Sequence, residues 1–136
     1  MNPILKNVLA VIAGAVVGSI VNMALVMLGP MIIPLPAGAD VTTTEGLKAS
    51  MHLMETKNFI FPFLAHALGT LAGAFTAAKI GVNHKMTMAF IVGVLFLAGG
   101  YINMQMVGGP DWFNALDLLV AYLPMGALGG WLATRD

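Results

Sequence analysis

Residues 59–79 read FIFPFLAHALGTLAGAFTAAK, a stretch whose single charge is the closing Lys79. A membrane-crossing helix needs about 20 apolar residues, and this stretch has that length. Within it Ala65, Gly69, Gly73 and Ala77 recur every fourth residue, which puts them on one helical face. Helices in lipid gain little from excluding water, so they associate where small side chains let backbones approach. The stretch therefore predicts a transmembrane helix packed through a face of glycine and alanine. His66 is the residue that this reading leaves unexplained.

Three further stretches, near 4–28, 86–107 and 112–133, have the same character. Of the 136 residues 59% are hydrophobic and 9% charged, against about a quarter charged in soluble domains. Mean hydropathy is +0.90. The fold class that follows is an all-α integral membrane protein of one domain, 1–136. Its expected form is an antiparallel bundle of four transmembrane helices, with a short amphipathic helix in the extramembrane loop 30–58. Zero net charge without a basic tract argues against a nucleic-acid partner. The absence of cysteine excludes a disulfide framework, CxxC redox chemistry and thiolate-bound metal.

The spans are punctuated. Asn2 and Pro3 supply a cap and a first-turn proline, Gly29-Pro30 is expected to stop the first span, and Gly108-Gly109-Pro110 the third. Lys79 to Lys85 makes a tight basic turn, and Asp111 opens the fourth helix with a charge suited to its dipole. Pro62 and Pro124 are expected to kink their helices. Lys6, Lys79, Lys85 and Arg135 share one side, which predicts both termini in the cytoplasm of a multi-pass protein of the cell (inner) membrane. Lys48 and Lys57 oppose them among Asp40, Glu45 and Glu55, so a dual-topology dimer stays open. Cleavage after Ala37-Gly38-Ala39 is disfavoured because the apolar run Val8 to Leu28 exceeds a signal-peptide core.

In the long loop, Thr42-Thr43-Thr44-Glu45 reads as a helix start. Leu47, Met51 and Met54 then fall on one face, with Glu45, Lys48, His52 and Glu55 on the other. The segment is expected to lie on the membrane surface or across the mouth of the bundle. His52 and Glu55 are two ligands where a metal site needs three or four, and neither metal nor cofactor is expected. Methionine numbers eleven, but without the short repeats of a copper path these residues read as packing. Trp112, Phe113, Phe59, Phe61 and Phe63 read as an interfacial aromatic belt.

Small residues also line the other spans, as Ala10, Gly14 and Gly18, as Ala89 and Gly93, and as Gly126 and Gly130. They predict close packing within the bundle and, beyond it, a homo-oligomer or partner membrane proteins besides the lipid bilayer.

Polar residues inside spans are costly and must find partners. With the termini inside, Asn22, His66, Asn103, Gln105 and Asp117 all lie roughly 3–10 Å below the outer boundary. Thr70, Tyr101 and Tyr122 extend the layer. Asp117 is the only acid within a span and His66 the only histidine, so they are the natural pair. The plain alternative is interhelical glue, His66 as a clasp and the amides as register pins. The expected function is an outer-leaflet polar pocket that binds or helps translocate a small molecule, proton or lipid headgroup. The alternative is a non-catalytic helical subunit of a larger membrane complex. An enzyme is disfavoured, since no nucleophile, base and oxyanion set assembles. The motifs of small four-span families are missing: the first span has no acid, Arg135 is the sole arginine, and cysteine is absent.

Overall fold

A computed structural model describes residues 1–135. Every regular element among them is helical: α1 (Pro3–Ile32), α2 (Thr44–Ser50), α3 (Ile60–Ile80), α4 (Lys85–Val107), α5 (Asp111–Val120) and α6 (Leu123–Thr134). Short 3-10 turns at Met51–Leu53 and Thr56–Phe59 lead from α2 into α3. Four helical stretches are long and apolar enough to cross a membrane: Pro3–Ile32, Thr56–Ile80, Lys85–Val107 and Asp111–Thr134.

The α1–α3 seam is a contact between backbones. A side-chain carbon at Gly14 would run into the Gly73 carbonyl, and one at Gly18 would lie 2.6 Å from the Gly69 carbonyl. Only glycine permits this approach, and the dispersion contact it allows is what holds helices together in lipid. The other face of α3 meets α4 and α6, where Ala74, Ala77, Ala78, Met88, Ala89, Val92 and Ala133 form a buried cluster. Gly126 rests on Gly93, and Gly130 on Ala89 and Met86. Ala10, Gly14, Gly18, Ala65, Gly69, Gly73, Ala77, Ala89, Gly93, Gly126 and Gly130 are all buried within the single chain. The small-residue faces thus serve the chain's own packing.

At one end, Asn7 ties the first helix to the α3–α4 turn. Its Nδ2 donates to Asn83 Oδ1 at 2.6 Å and its Oδ1 accepts from the Val82 N–H at 3.0 Å. Lys79 Nζ donates to the Ala133 carbonyl at 3.4 Å. The start of α1, the turn and the end of α6 therefore meet in what is called here the terminal end, opposite the loop end that carries α2.

Three prolines shape the helices in different ways, each for a reason of proline chemistry. The first helix does not stop at Gly29-Pro30 but continues to Ile32, because proline deletes one donor while the Ile33 N–H still reaches the Gly29 carbonyl at 2.8 Å. Pro62 sits in the first turn of α3, where N–H groups have no intrahelical partner, so it need not bend the helix. The fourth span is two helices. The first closes with the Ala121 N–H on the Asp117 carbonyl, and the second opens with the Gly126 N–H on the Tyr122 carbonyl. Pro124, without an N–H and with a ring that crowds the preceding turn, accounts for the break.

Candidate functional site

Toward the loop end the helices part around a cavity of about 500 Å³, within the usual range for small-molecule pockets. Its wall takes Asn22, Val26 and Gly29 from α1, Phe61 and His66 from α3, and Phe113 and Asp117 from α5. Phe96, Gly99, Gly100 and Asn103 come from α4 at helical spacing, and Tyr122 from the break. Leu47, Met51 and Met54, the apolar face of the loop segment, line the same cavity, while Glu45, Lys48, His52 and Glu55 are exposed. Packed rings join the turn before α3 to α5: Phe59 lies 4.7 Å, tilted, from Phe113 and 5.5 Å, edge-on, from Trp112.

The loop segment has its own fastenings. Thr43 caps α2 by accepting from the Gly46 N–H at 2.9 Å. Asp40 accepts from the Thr42 hydroxyl at 2.6 Å and the Thr42 N–H at 2.9 Å, and its own N–H donates to Ser50 Oγ at 2.9 Å. The Thr42 hydroxyl, and after it the Thr42 N–H, hold the Asp40 carboxyl below its ordinary 3.8.

The polar part of the cavity centres on Asp117, only 5% exposed. Its Oδ1 lies 2.8 Å from His66 Nδ1, and its Oδ2 accepts from Tyr122 Oη at 2.9 Å. The His66 and Tyr122 rings are stacked, 5.8 Å apart and 27° from parallel. In an unbroken helix, residues five apart project about 140° away from each other, so Asp117 and Tyr122 meet only because the chain turns at Ala121. Gly100 makes the space, since any side chain there would strike the Tyr122 hydroxyl. In the sequence Tyr122 stands at the margin of the polar layer, two residues before Pro124. That spacing was the available sign that proline would swing this tyrosine back onto the acid.

Oδ2 accepts from the tyrosine and Oδ1 faces Nδ1; with Nδ1 as the donor of that contact, a neutral ring presents its lone pair at Nε2. His66 Nε2 makes no hydrogen bond among the described residues. Every buried side-chain nitrogen or oxygen among them has a partner, so Nε2 is not buried, and His66 lines the cavity. The arrangement is an imidazole whose ring is held by the carboxylate behind it and whose other nitrogen faces the cavity, an acceptor in the neutral Nδ1–H form.

The remaining residues of the anticipated layer are distributed differently. Asn22 is half-buried in the cavity wall, and Asn103 lines it from an exposed position. Gln105 is exposed and lies outside the lining. Thr70 is fully buried behind the wall, its hydroxyl donating to the His66 carbonyl at 2.7 Å, so it positions the helix turn that carries the histidine. Tyr101 is exposed. No group of three or more histidine, cysteine, aspartate or glutamate residues close enough to hold a metal occurs among the described residues. Compared with protein-family models, with characterised proteins and with solved structures, the chain matches none.

Proposed function

We propose that the protein is a membrane-embedded binding protein that holds a small lipophilic molecule in the loop-end cavity, with His66 and Asp117 as its polar anchor. In this reading the four spans form an antiparallel bundle, the side of the membrane follows the lysines and Arg135, and the α2 segment covers the cavity mouth. The observation that carries it is the His66–Asp117 contact of 2.8 Å, set in the wall of a cavity with an imidazole nitrogen left unpartnered. Helix register alone would be satisfied by a pair closed on itself. One copy of the chain suffices, and no nucleophile or metal is required.

The test is native mass spectrometry of protein extracted in mild detergent, comparing wild type with Gly99→Leu. Gly99 lines the cavity, and a side-chain carbon there meets nothing within 4 Å, so leucine fills space without moving the backbone. A retained small molecule that is lost in the folded variant supports the reading. Retention equal in both proteins, or none in either, removes it.

A further inference from the structure

Except for Lys57, Asn58 and Asn114, the cavity lining near the loop segment is apolar, and the strongest polar cluster lies further along the helices. The His66–Asp117–Tyr122 cluster sits in the second turn of α3 and the second turn of α5 and beyond, whereas Leu47, Met51 and Met54 close the loop end. A ligand matching this gradient presents its polar group first and leaves its apolar body under the loop.

The chemistry of that polar group is narrowed by which atoms are free. Both Asp117 oxygens are already in contact with His66 and Tyr122, and the residue is 5% exposed, so little of the carboxylate faces a ligand. Lys57 lines the cavity as well, its ammonium 3.5 Å from the Glu55 carboxylate. The unpartnered atom is His66 Nε2, which in the neutral ring with Nδ1–H on Asp117 is an acceptor and calls for a neutral donor. Phe61, Phe96 and Phe113 line the same cavity, and the Tyr122 ring is stacked on His66, aromatic surface that suits a flat partner.

Resting on the binding reading above, we infer that the ligand class is a lipophile ending in a neutral hydroxyl, an alkylphenol or comparable ring alcohol. Its O–H donates to His66 Nε2 while Nδ1–H donates to Asp117. Asp117 and Tyr122 act as positioning residues that fix which nitrogen carries the lone pair. No bond is made or broken, and no proton need leave the hydroxyl.

The experiment is calorimetric titration of the purified protein in detergent with 4-octylphenol and with 4-octylanisole, its methyl ether. The two have the same ring and chain, and only the phenol donates. One net hydrogen bond predicts that the phenol binds about tenfold more tightly, and that this preference vanishes in His66→Phe. Should His66→Phe fail to fold, the phenol-to-ether ratio on wild type carries the test by itself. Equal affinity, or tighter binding of the ether, overturns the donor inference, while sensitivity of both ligands to Gly99→Leu would leave the cavity reading standing. Failure of either ligand to bind in a Gly99-dependent way overturns both.

Discussion

The two ends of this bundle are built from the same four apolar helical stretches on opposite principles. At the terminal end α1 and α3 meet backbone to backbone, Gly14 on Gly73, and the neighbouring helices add an alanine-rich cluster. Two turns further on, Asn22, His66 and Asp117 replace glycine and alanine at the wall, larger rings separate the helices, and the interior becomes a cavity of about 500 Å³. The lesson is that a helix face of small residues closes a bundle, and that interrupting the same face with polar and aromatic side chains opens it. Phe96 marks the boundary, its ring lying against Gly18 at the last close approach of the α1–α3 seam.

The contrast can be broken most severely at the closed end. Gly73→Leu places a branched side chain where the Gly14 carbonyl lies, and because no rotamer avoids a backbone atom, folded protein should be lost altogether from detergent extracts. Size-exclusion chromatography shows this as aggregation, and a monodisperse, wild-type-like profile would mean that the seam is not what closes the bundle.

Next in size is the anchor at the open end. Asp117→Ala strands both the His66 ring and the Tyr122 hydroxyl, and should lower stability in detergent by about 2 kcal/mol, the upper range for interhelical hydrogen bonds. Tyr122→Phe removes only one of the two bonds and should lose less, about 0.6 kcal/mol. Thermal unfolding followed by circular dichroism ranks the two, and equal losses would show that the tyrosine, not the acid, organises the cluster.

Gly99→Leu, by contrast, should change stability by less than about 0.5 kcal/mol, as at other positions with open space around them. An identical substitution is thus expected to be fatal in one half of the bundle and nearly silent in the other, which is the comparison in its sharpest form.

The smallest effect concerns the loop. Asp40 has a lowered affinity for its proton in the folded chain, so its contribution to the Thr42 turn is present above the ordinary carboxyl value of 3.8 and fades as pH falls through the lower folded value. Amide exchange at Thr42 should accelerate on going below that range and become insensitive to pH in Asp40→Asn. Unchanged exchange in the acid would show that the turn holds without its carboxylate.

Much of this architecture was legible in the chain. The apolar runs and their spacing of small residues depend on local composition and on the 3.6-residue helical period, which the sequence carries directly. The pairing of His66 with Asp117 was legible too, because each is the sole residue of its kind within a span and isolated polar groups in lipid must find one another. Gln105 and Thr70 were less so: depth along a helix can be counted from its ends, but the direction a side chain faces depends on how the helices rotate against each other. Pro30 and Pro124 show the same limit. Both delete a donor, yet the first is absorbed within a helix and the second divides one.

By itself the sequence determined that four helices long and apolar enough to span a membrane would form, which faces could approach closely, and how far along each helix the polar residues would lie. These follow from short-range rules, the length of an apolar run and the period of a helix. The tertiary structure alone decided that Tyr122 turns back onto Asp117, that Nε2 is the nitrogen left without a partner, and that the loop's methionines and leucine line the cavity. Those are outcomes of helix rotation and of one broken turn, and they are fixed by contacts between residues far apart in the chain.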